Sequence, residues 1–141
     1  MYGNTRLPGV EVSSDFRDEG SIWRGATEAT WFKIVTTSLS AEEANAISLG
    51  TIMKEDAATG TYSPISEADI SSTLPGARLV IVADSTAVEG ASVLVGTHGQ
   101  VDKARLIIGE KTFTELTDEQ KINLNTQLEA WGFLLVNVIQ G

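Results

Sequence analysis

His98 is the only histidine of the chain, so an imidazole base or a Ser-His-Asp relay would have to be built around it, with Asp102 as the nearby carboxylate. Its setting argues otherwise. In Gly96-Thr97-His98-Gly99 two glycines flank the dipeptide, and glycine costs little at positive φ, so a tight turn with a solvated histidine is expected. No Gly-x-Ser-x-Gly elbow supplies a nucleophile. The adjacent carboxylates Glu42-Glu43, Glu55-Asp56 and Asp118-Glu119 have the residue type for acid-base work. Each is better explained by a helix start or a solvated loop. Hydrolysis by carboxylates would need two acids converging in one pocket.

Other chemistries lack their residues. There is no cysteine, which removes disulfides, thiolate nucleophiles and cysteine-containing zinc clusters. The Lys54-to-Gly60 segment KEDAATG lacks the alternating oxygen ligands of an EF-hand loop, and no glycine pattern fits a phosphate cradle. Trp23, Trp31 and Trp131 are not interleaved with Lys or Arg as on a single-strand-binding surface. The reading is a non-enzyme, with no catalytic residue, cofactor or metal assigned.

The elements that would carry any site are mainly strands. Ala77 to Gly109 is rich in branched aliphatics, with apolar runs at Leu79–Ala83 and Val93–Val95 and a further extended segment at Arg105–Ile108. Upstream, Trp31–Val35 reads as a strand of aromatic and β-branched residues. Ser40 with Glu43 forms a capping box for a short helix over Ala41–Ile47. Ser48–Lys54, the Asp56–Gly60 loop and Thr61–Pro64 read as a hairpin. Residues 66–76 are polar, and Pro75-Gly76 marks a turn.

Near the C-terminus, Thr117 with Gln120 is a second capping box, Asp118 and Glu119 suit the first turn, and Gly132 suits the C′ position. These predict a helix over about 118–131. Leu124, Leu128 and Trp131 share its apolar stripe, while Ile122 projects to nearly the opposite side with Asn125 and Glu129, which makes Ile122 a candidate subunit contact. Phe133–Ile139 reads as a final strand.

At 141 residues and 42% hydrophobic content the chain suits one core. The expected division is an extended N-terminal arm, 1–30, and a single β-rich domain, 31–141. The first thirty residues are polar and glycine-punctuated with isolated large apolar groups. They form no core of their own, and read either as a free tail or as an arm that orders on a partner. Ile22 and Trp23 decide between these, since an indole left in water contributes nothing. The net charge of −9 repels phosphate backbones and anionic lipid, so neither nucleic acid nor membrane is an expected partner. No signal-like apolar N-terminus and no bilayer-length apolar run occurs. The expected place is the cytosol, or a particle assembled there.

The order Leu49-Gly50-Thr51-Ile52 with a hairpin to Tyr62, then Gly76–Val82, then Ala91–Val95 leading through Gly99-Gln100-Val101-Asp102, then a helix and Gly132–Val136, resembles the bacteriophage head decoration proteins of the lambda type. The resemblance spans roughly residues 46–138 and rests on the order of elements, above all the Val93–Ala104 passage and the final helix, glycine and aliphatic strand. It implies an α+β, β-rich domain of small β-barrel-like or β-tulip form with one C-terminal helix and a final strand. It also implies a homotrimer on the outer surface of a phage head, assembled in the host cytoplasm, that binds the major capsid protein and stabilises the expanded shell against packaged DNA. The N-terminal arm would reach the shell, with Phe16, Ile22, Trp23 and Arg24 as candidate capsid-binding residues. The alternative is another virion or surface module, such as a tail component or a carbohydrate-binding β-domain. For the latter Trp31 or Tyr62 would be the aromatic platform, although its apolar neighbours place Trp31 in the core.

Overall fold

The computed structural model describes residues 23–24, 31–70, 77–89 and 91–136. The chain is α+β and rich in strands. After β1 (Trp23–Arg24) and β2 (Trp31–Thr36) come helix α1 (Ala41–Asn45), β3 (Ile52–Asp56) and β4 (Thr61–Pro64). A 3-10 turn at Glu67–Ile70 leads towards β5 (Leu79–Glu89) and β6 (Ser92–Asp102). The short β7 (Ile107–Ile108) and β8 (Lys111–Thr112), helix α2 (Asp118–Ala130) and β9 (Phe133–Val136) complete the order.

β6 is the seam of the sheet. It pairs antiparallel with β2 along Ser92–His98 and with β5 along Ser92–Gly96, then antiparallel with β1 at Gln100 and Val101 and parallel with β9 along Gly99–Asp102. β5 continues to β3, and β3 to β4. The sheet curls until Thr37 bridges Tyr62 and the Ser38 N–H donates to the Tyr62 carbonyl at 2.9 Å. That single meeting does not make a ladder, so the barrel is not closed.

Both faces of the curled sheet are covered, which explains the unbroken aliphatic runs. Leu79, Ile81 and Ala83 of β5 and Ile52 of β3 pack with Ile65, Ile70, Leu106, Ile108, Phe113 and Leu116 against Leu124 and Leu128 of α2. Their alternates Val80, Val82 and Met53 face Val35, Tyr62, Val93, Val95 and α1's Ala44. β5 and β6, expected as apolar runs of five and three residues, are eleven residues each, because backbone pairing carries them on through the largely polar or glycine-containing segments Asp84–Glu89 and Gly96–Asp102.

The hairpin and both capping boxes stand where the sequence puts them. Ser40 accepts from Glu43 N–H and Glu43 answers at Ser40 N–H, and Thr117 and Gln120 do the same for α2. Helix α1 ends at Asn45, two residues early, and α2 ends at Ala130 with Trp131 as its C-cap and Gly132 at φ +94°. β3 starts at Ile52, not Ser48, and the segment at 105–108 is extended only over Ile107–Ile108, because Lys103–Arg105 form a 3-10 turn.

One expectation fails outright. Gly96–Gly99 is not a turn: it runs through the middle of β6. Gly96 is buried between Phe32 of β2 and Ile81 of β5, and the Gly99 N–H donates to the Gly132 carbonyl at 3.2 Å. In a strand with neighbours on both edges, glycine marks close backbone approach rather than reversal.

Candidate interaction surface

The Gly96–Gly99 passage contains a β-bulge. Trp31 lies opposite His98 while the next residue, Phe32, lies opposite Gly96, so Thr97 is the extra residue on β6. Its hydroxyl donates to the Trp31 carbonyl at 3.3 Å, and its own carbonyl accepts from Arg78 Nη2 at 3.4 Å. A bulge reverses the facing of everything beyond it. Before it Val93 and Val95 face the α1 side while Leu94 packs against the α2-side core; after it Val101 joins the α2-side core, and His98 and Gln100 turn to the opposite face.

Two exposed residues share that face. Trp31 is 63% exposed, its ring 5.0 Å from the His98 ring and tilted by 42°. Leu134, opposite Gln100 on β9, is 50% exposed, whereas its neighbour Phe133 is buried in the core. His98 and Gln100 are half-buried between them. The expectation that Trp31 is core is therefore corrected: the bulge and the sheet's rim turn it outward. His98 is likewise a strand residue packed on an indole, not a solvated turn residue.

The other candidate groups are occupied. Tyr62, 3% exposed, cannot be a platform; its hydroxyl donates to Glu55 Oε2 at 3.4 Å. Burial, then the Glu55 charge, raises the Tyr62 pKa against the opposing Arg78. Asp102 caps the Ala104 N–H at 3.1 Å and lies 3.6 Å from Arg105 Nε. Glu43 is spent in its capping box, and Asp56 accepts from Ala58 N–H at 3.0 Å. Among the described residues no three His, Cys, Asp or Glu side chains group to hold a metal ion, and no helix is long and apolar enough to cross a membrane.

Of the arm, Phe16 and Ile22 lie outside the described residues. Trp23 and Arg24 pair as β1 with Val101 and Gln100 of the same chain, so the arm's last described residues belong to the sheet. Ile122 is 62% exposed, on the side of α2 where Asn125 Nδ2 donates to Glu129 Oε1 at 2.7 Å. Ile34 on β2 is 56% exposed. Sequence reasoning missed the Trp31, His98, Gln100 and Leu134 face because a bulge leaves no fixed residue signature; the Gly-Thr-His-Gly step was its only trace. No protein-family model and no curated protein matches the chain.

Proposed function

We propose that this chain is a capsid decoration, or cement, protein: a homotrimer that binds the major capsid protein on the outside of a phage head and holds the expanded shell against the pressure of packaged DNA. The observation that carries this reading is the order of elements. The Ile52–Pro64 hairpin, the long β5 and β6, helix α2, Gly132 and β9 stand in the order that the resemblance implies, and the curled, unclosed sheet suits a β-tulip or barrel-like domain. The arm, with Phe16, Ile22, Trp23 and Arg24, is the proposed attachment element. Three arms on one trimer act at effective concentrations of about a millimolar, so individually weak strand contacts suffice.

The test is co-sedimentation with expanded heads that lack the protein, beside the mass in solution. The full chain is expected to sediment with heads and to have three times the 15.0 kDa chain mass. Removal of residues 1–22, which leaves β1 in place, is expected to keep that mass and abolish sedimentation. Undiminished binding by the truncated protein would rule out residues 1–22, Phe16 and Ile22 among them, as the attachment element, and a monomer would count against the reading as a whole. A second reading, a surface module that binds carbohydrate, is favoured by one observation: the exposed Trp31 indole with His98 and Gln100 beside it.

A further inference from the structure

We infer that the face bearing Trp31, His98, Gln100 and Leu134 is the one turned towards the shell, and that it docks on an apolar protein surface beside the place where the arm attaches. The inference rests on the decoration reading.

The first argument is where the chain leaves the domain. Residues 1–22 precede β1, and β1 is fixed opposite Val101 and Gln100. Because β1 runs antiparallel to β6, with Trp23 opposite Val101 and Arg24 opposite Gln100, the arm is rooted at the Val101–Asp102 end of this stretch, next to Gln100 and to Leu134, which pairs with Gln100 from β9. The root of the proposed attachment arm thus adjoins the Gln100 and Leu134 end of the face.

The second argument is chemical. Trp31 and Leu134 are two of the four large hydrophobic residues exposed among the described residues. In a chain with 19 acidic residues, none of the four residues of this face is a carboxylate, so it approaches another protein without the repulsion that the rest of the surface presents. A tryptophan and an aliphatic residue flanked by hydrogen-bonding side chains is the composition of an interface centre.

The third is that the face is built to keep its shape. The bulge at Thr97 is hydrogen-bonded to Trp31, the Arg78 guanidinium holds Thr97 from the other side, and Gly132 packs so closely that a Cβ there would stand 3.0 Å from His98 Cβ. A rigid platform loses little freedom on docking.

The test uses the absence of native cysteine. A single Leu134→Cys substitution in the full chain is treated with a maleimide, free and after sedimentation with expanded heads. The thiol is expected to react freely in solution and about tenfold or more slowly on heads, as at a desolvated interface centre. In parallel, Trp31→Gln is expected to weaken head binding about tenfold or more while the variant stays folded and keeps its mass in solution. Protection of the thiol already in the free protein would assign the face to the contact between subunits and overturn the inference. Equal reactivity free and on heads would overturn it too. So would a Trp31 fluorescence change with host-cell polysaccharide together with head binding that is indifferent to Trp31→Gln, which would assign the face to sugar. If the unmodified chain fails to bind heads at all, the decoration reading itself has failed, a result distinct from all of these.

Discussion

Gly132 does two things with one missing methyl group. Its φ of +94° is a conformation that side chains resist, and it lets the end of α2 close on His98. Gly60 separates the two effects, because it has φ +73° but nothing within 4 Å of the place where a Cβ would stand. Gly60→Ala is expected to cost about 1 kcal/mol, the penalty of left-handed backbone alone. Gly132→Ala is expected to cost about 2 kcal/mol or more, since His98 must also move away from Trp31. Urea unfolding of the two variants checks this, and equal losses would mean that His98 yields without cost. The sequence announced Gly132 through the helix that ends there. His98 could not be read in the same way, because a histidine between glycines looks like a turn whenever the strand around it has no polar alternation, and only the pairing of β2 and β5 with the same stretch of β6 decides the matter.

At the scale of elements, helix α2 is held by a narrow apolar stripe and by polar groups that the stripe does not foretell. Leu124 and Leu128 are fully buried, while Asn123 and Gln127 beside them donate to the carbonyls of Ile70 and Asp69 at 3.1 and 3.2 Å. Leu128→Ala is expected to cost about 2–5 kcal/mol, whereas Ile122→Ser, on the exposed side, is expected to change monomer stability by less than about 0.5 kcal/mol; thermal unfolding distinguishes them. The helix's start, length and buried leucines were legible because caps and a period of 3.6 are local. The Glu67–Ile70 turn against which it packs was not, since that turn is stitched by partners distant in sequence. Asp69 accepts from Lys54 Nζ and Ser66 N–H, both at 2.8 Å, and Glu67 accepts from Lys111 and Gln120, both at 3.1 Å. Burial alone would raise the Asp69 pKa, but Lys54 and Ser66 outweigh it and hold the carboxyl below its usual range; Gln120 and Lys111 lower Glu67. A carboxyl depressed in the folded state binds fewer protons there than in the unfolded chain. Its contribution is therefore present above the unfolded value of about 4 and lost as pH falls through the lower folded value. Stability is expected to fall as pH drops below about 4, and Asp69→Asn is expected to flatten that fall in urea unfolding followed against pH. An unchanged slope would show that the Lys54 pair is screened out by solvent.

The whole molecule is an unclosed, curled sheet with a strongly acidic chain around it, and these two properties pull on assembly in opposite directions. β2 is the strand at the opening. Thr37 N–H donates to Ala91, so by antiparallel alternation Val35 and Lys33 turn their peptide groups to β6, while Ile34 and Thr36 turn theirs away. Exposed Ile34 on such an edge invites another chain. A net charge of −9 per copy opposes that approach over the whole electrostatic range, about 30 Å at roughly 0.01 M salt and about 8 Å at roughly 0.15 M. If apolar contacts such as Ile122 or Ile34 join the subunits, salt removes only the repulsion. The dissociation constant of the proposed trimer is then expected to fall as salt rises between those concentrations, and sedimentation equilibrium measures it directly. Ion pairs at the interface would give the reverse, because screening weakens them first. The direction of the salt effect thus separates an apolar subunit interface from a charged one without knowledge of which face is used.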